Sequence, residues 1–72
     1  MKPDGFLEVK VRPRKTVYVK GEPDERGVYC TFYESNTEES RVLGNKYASL
    51  PFKYSKELLK RVMESTARYY FA

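Results

Sequence analysis

Apolar residues in this chain change their spacing once, and that change limits what it can fold into. From Leu7 to Phe32 they fall largely on alternate positions; from Leu59 to Tyr70 they recur every three or four. Alternation places side chains on opposite faces of a strand, whereas a spacing near 3.6 draws one stripe along a helix. In residues 6–11, Leu7, Val9 and Val11 share one face, and Glu8 and Lys10 share the other. Arg12-Pro13-Arg14-Lys15 interrupts the pattern, because proline cannot donate to a central ladder. Residues 16–20 resume it with Val17 and Val19 inward. The two runs make either a hairpin with a basic tip or one bent edge strand. Residues 28–34 form the clearest strand, with Val28, Cys30 and Phe32 on one face and Tyr29, Thr31 and Tyr33 on the other.

Residues 21–27 hold two glycines, a proline and a run of charges, which predicts a loop. Residues 35–39 are a polar turn, and residues 40–43 a short strand stopped by Gly44. Residues 45–54 have no clean period and read as a connector, with Tyr47, Leu50 and Phe52 packing inward. Ser55 is placed to cap a helix, and Glu57 lies in a first turn, where the helix dipole favours an anion. From Lys56 onward, Leu59, Val62, Met63, Thr66 and Tyr70 form the apolar stripe, while Lys56, Lys60, Glu64 and Arg68 form a wet one. The expected architecture is α+β. One domain over residues 1–72 holds a three- to four-stranded antiparallel sheet packed by one C-terminal helix.

Size and composition exclude several functions. A chain of 72 residues is near the lower limit for folding alone, and a single cysteine, Cys30, permits no intrachain disulfide. Histidine is absent, which removes the usual general base near neutral pH and the commonest metal ligand. Cys30 has no histidine to activate it and falls on an apolar face, so it reads as a core residue. Asp24 with Glu25, and Glu38 with Glu39, lack the spacing of a calcium loop, and no phosphate-cradling glycine motif occurs. The expectation is therefore no enzyme, no cofactor and no metal. Charges interrupt every apolar run well short of the roughly 18 residues a membrane helix needs. Met1–Gly5 leads into no apolar signal core, and the lone thiol suits a reducing compartment, so the expected location is the cytoplasm.

Charge is arranged in three blocks. Residues 1–20 carry six bases and two acids, residues 21–40 one base and six acids, and residues 41–72 seven bases and two acids; the net is +4. Two basic blocks on one surface would suit a polyanion. By strand parity, Lys10, Tyr18, Lys20, Tyr29, Thr31 and Tyr33 share the face opposite the apolar one. Lysines there supply phosphate contacts, and tyrosines supply flat surfaces for bases. An ordinary wet sheet face has the same residue types, since Tyr, Thr and Lys suit a strand without any ligand. Arg12, Arg14 and Lys15 form the densest basic patch, either a phosphate-contacting turn or a turn kept soluble by charge. DNA or RNA is the first expected partner. The second reading is a small protein-interaction module or inhibitor that binds a larger protein through its acidic residues 22–39. Tyr69, Tyr70 and Phe71 form an apolar chain end, with Tyr70 expected to close the core and the remainder to offer a homodimer contact.

Four short segments carry a family resemblance. They are the basic run Arg12-Pro13-Arg14-Lys15, then Val17-Tyr18-Val19-Lys20, Gly27-Val28-Tyr29-Cys30 and Leu43-Gly44-Asn45-Lys46. Together they resemble the leader and three strands of the N-terminal arm-type DNA-binding domain of lambda-like tyrosine recombinases, the phage integrases. That resemblance implies a sheet seated in the DNA major groove, with Tyr18, Lys20, Tyr29 and Arg41 as readers. The chain departs from the family pattern in its acidic 21–27 segment, in the stretch 47–54 before the helix, and in the strand that precedes the leader.

Overall fold

A computed structural model describes residues 5–72; Met1–Asp4, with Lys2 of the first basic block, lie outside the described residues. The strands β1 (Leu7–Arg12), β2 (Lys15–Pro23), β3 (Gly27–Tyr33) and β4 (Val42–Ser49) form one antiparallel meander in chain order, and α1 (Lys56–Phe71) packs across one face. The α+β expectation holds, with four strands.

The alternating valines explain the core. Val9, Val11, Val17, Val19, Val28, Cys30 and Phe32 all point to the helix side and are buried. Burying each such side chain is worth about 1.5–3 kcal/mol, so this one face supplies most of the drive to fold. β1 and β2 form a hairpin rather than one bent strand. Arg12 pairs with Lys15, leaving Pro13 and Arg14 as its turn, and proline's fixed φ suits the first turn position. The register shifts between Lys10 and Arg12, so two β1 residues oppose one on β2, which keeps Val11 inward.

Strand extends into parts of two segments expected to be irregular. Gly21, Glu22 and Pro23 continue β2 opposite Cys30, Tyr29 and Val28. Gly21 is needed where it stands: a Cβ there would lie 2.8 Å from the Met63 sulfur and 2.9 Å from Val28 Cγ2. Its small size lets the helix approach the sheet, which composition alone reads as a loop signal. The true turn is tight. The Asp24 amide donates to the Gly27 carbonyl at 2.7 Å, and Asp24 Oδ1 accepts from the Arg26 and Gly27 amides.

The short strand expected at 40–43 starts later, at Val42, and runs on. β4 passes through Gly44 to Ser49, pairing Tyr47 with Tyr29 and Ala48 with Val28. Its alternation is obscured because it is a largely exposed edge strand, with only Leu43 and Ala48 packed against the core. Leu50 is buried beyond it, as expected, whereas Tyr47 and Phe52 are 50 % and 81 % exposed.

α1 begins as expected. Ser55 Oγ accepts from the Leu58 amide at 3.1 Å, a cap worth about 1 kcal/mol. Its buried row differs at the C-terminal end. Met63, Ala67 and Phe71 face the sheet, and the Phe71 ring meets Phe32 edge-on at 4.9 Å. Phe71 closes the core, and Tyr70 does not. The reason is a row of residues four apart, in which Ala67 is small enough to sit against the strands.

Candidate nucleic-acid interface

Strand pairing carries the expected binding residues to the sheet's outer face and to one end of the molecule. On the outer face, β1 contributes Glu8 and Lys10, β2 contributes Tyr18, Lys20 and Glu22, and β3 contributes Tyr29, Thr31 and Tyr33. β4 adds Asn45 opposite Thr31 and Tyr47 opposite Tyr29. The parity behind the sequence expectation holds, since the buried residues alternate with these.

Acids interrupt the face. The Tyr18 hydroxyl donates to Glu8 Oε1 at 3.4 Å. Lys20 forms an ion pair with Glu38, which descends from the segment joining β3 to β4. The same lysine lies 5.5 Å from the centre of the Phe6 ring, and Phe6 meets Tyr33 edge-on at 5.4 Å. Hydrogen bonding to Glu38 is the main cause that raises the Lys20 pKa above its ordinary value. Lys20 is therefore a charge already answered by an acid. At the opposite end of the face the Tyr47 hydroxyl donates to Asp24 Oδ1 at 2.5 Å, a short charge-assisted bond. That bond lowers the Asp24 pKa and raises that of Tyr47.

The basic turn has a different setting. Arg12 and Lys15 oppose each other directly at the end of the β1–β2 ladder, with Arg14 between them in the turn. Opposed like charges weaken a strand pair. Among the described residues the ion pairs are Lys20–Glu38 and Glu64–Arg68, so neither pair involves the turn. Lys10, Arg12, Arg14 and Lys15 are all exposed. Arg41 is exposed too and precedes β4 at the same end of the sheet as the turn.

The chain end joins this patch, a placement that strand and helix patterns alone do not reveal. Lys15 sits 5.7 Å from the centre of the Phe71 ring, and Lys46 sits 4.5 Å from that of Tyr70. Lys46 is not among the expected binding residues: the residue pattern reads 45–54 as a connector, and only the family resemblance carries a strand as far as Lys46. The signal that could have found it is the aromatic chain end, which holds more rings than core closure needs.

The acidic block divides. Glu22, Asp24 and Glu25 lie at the β2–β3 turn, and Glu34, Glu38 and Glu39 follow β3 at the other end. The seven residues of β3 separate them by about 20 Å at ~3.3 Å per residue. No helix among the described residues is long and apolar enough to cross a membrane. No protein-family model, no curated protein and no solved structure matches the chain.

Proposed function

We propose that this chain is a non-catalytic nucleic-acid-binding domain that contacts phosphates through the tip of its β1–β2 hairpin. The supporting observation is the cluster Arg12, Arg14 and Lys15, with Lys10 on the preceding strand. Three cations at one tight turn, two of them directly opposed, cost the isolated fold stability, and an anionic partner would offset that cost. A two-stranded ribbon is also narrow enough to enter a DNA groove. The tip is the segment likened above to the basic leader of the phage-integrase arm-type domain, and for that reason duplex DNA is the first partner to test. Lys20, Tyr29 and Tyr33 have a weaker case, because Glu8, Glu22 and Glu38 share or overhang their face.

The shifted groups give a catalytic reading no support. Those of Lys20, Tyr47 and Cys30 rise, the last by burial, and that of Asp24 falls. Every one moves away from neutrality, whereas a general acid or base needs a value near the working pH. The alternative, a protein-interaction module using residues 22–39, has less support, since those acids lie at two ends of β3.

The test is binding of a duplex, followed by fluorescence anisotropy as salt is raised. Affinity should fall steeply with salt. Replacing Arg12, Arg14 and Lys15 with alanine should lower the magnitude of the log–log slope by about 0.9 per lost phosphate contact, hence by roughly 2–3. An unchanged slope would exclude the hairpin tip. Salt-independent binding, or none, would sink the nucleic-acid reading.

A further inference from the structure

A shallow groove runs between β4 and α1, lined by Tyr47, Ala48, Ser65, Thr66, Tyr69 and Tyr70. Its lining contains no carboxylate. Tyr69 is 81 % exposed, although it is a large ring at the end of a regular helix, and it meets Tyr70 edge-on at 4.9 Å. Lys46 stands over Tyr70. The Thr66 hydroxyl is committed to the Val62 carbonyl at 2.7 Å. Glu64, the acid that precedes Ser65, is paired with Arg68. The groove thus offers ring faces beside one cation, while the nearby acids are already engaged: Asp24 accepts from the Tyr47 hydroxyl and Glu64 pairs with Arg68.

Exposed rings next to a cation match the chemistry of a nucleotide whose base is free to stack. A paired base keeps both faces inside its duplex, whereas an unpaired base offers a face to an aromatic side chain. Phe71 links the groove to the hairpin tip, because it follows Tyr70 directly and lies beneath Lys15. A strand whose phosphates run past Arg14 and Lys15 therefore meets Lys46 and the tyrosines next. We propose that the β4–α1 groove binds an unpaired nucleotide, with its base stacked on Tyr69 and its phosphate held by Lys46. This inference rests on the nucleic-acid reading and adds to it a preference for a single-stranded segment at this second location.

The experiment compares a 12-nucleotide oligo-thymidine with a 12-base-pair duplex, each titrated with wild type, Tyr69→Ala, Tyr69→Phe and Lys46→Ala by anisotropy at fixed low salt. Stacking is worth about 1–3 kcal/mol per base, which converts to roughly a 5- to 150-fold change in affinity. Tyr69→Ala should weaken the single strand by a factor in that range and the duplex by less than about twofold. Tyr69→Phe should restore single-strand binding, because it keeps the ring and loses only the hydroxyl. Lys46→Ala should weaken the single strand and flatten its salt slope by about 0.7. Tyr69 is exposed, so its truncation leaves the core untouched, and circular dichroism of each variant checks this directly. If Tyr69→Ala leaves the single strand unaffected, or weakens both ligands equally, the groove proposal is overturned while the hairpin reading stands. Duplex binding without single-strand binding has the same meaning. Binding of neither ligand overturns both.

Discussion

Gly21 and Gly44 show how much a single missing side chain can decide. Both lie in strands and neither has a left-handed backbone, so conformational freedom is not what selects glycine at either position. At Gly21 a Cβ would press on Met63 and Val28, whereas at Gly44 its nearest neighbour would be the Phe71 ring at an ordinary 3.7 Å. Gly21→Ala should therefore destabilise the fold by about 1–3 kcal/mol through overpacking between α1 and β2. Gly44→Ala should stay within about 0.5 kcal/mol of wild type. Urea denaturation of the two variants checks this, and equal midpoints would contradict it. Cys30 was legible as a core residue from parity alone. Tyr70 and Phe71 were not separable, because adjacent rings at a helix end differ only in angle and the sheet chooses between them.

At the scale of elements, the period-two runs β1, β2 and β3 and the start of α1 were readable, since each has one dry side and one wet side. β4 and the far end of β2 were not. An edge strand such as β4 is largely exposed, and Gly21 and Pro23 resemble turn residues until β3 pairs with them and Met63 packs over Gly21. The β2–β3 turn carries its own link to β4 through the Tyr47–Asp24 hydrogen bond. Asp24 has a lowered folded pKa, so its contribution is present above the unfolded carboxylate value and is lost as pH falls through the folded one. Tyr47 has a raised folded pKa, so its contribution is present below the unfolded phenol value and is lost as pH rises through the folded one. The stability difference between wild type and Tyr47→Phe should thus be greatest across the middle of the pH range and shrink at both extremes. Thermal melts across pH test it, and a pH-independent difference would rule this coupling out.

For the whole molecule, charge is the property that folding rearranges most. The three blocks along the chain become an outer face where bases and acids mix, a basic hairpin tip, and a cation–ring cluster at the end of α1. Glu38→Gln tests the mixed face. It removes the partner of Lys20 and raises the net charge by one, so duplex affinity should increase, with a salt slope steeper by up to about 0.9. Unchanged affinity would confine binding to the tip and the chain end. Local order alone determined the α+β class, the inward valines and the helix cap, because side-chain period and capping chemistry act over a few residues. Only tertiary structure decided that Glu38 would answer Lys20, that the acids at 22–39 would part to two ends, and that Lys15 and Lys46 would meet the C-terminal rings. Those outcomes depend on strand order and on where the helix crosses the sheet, and both are set by packing between residues far apart in the chain.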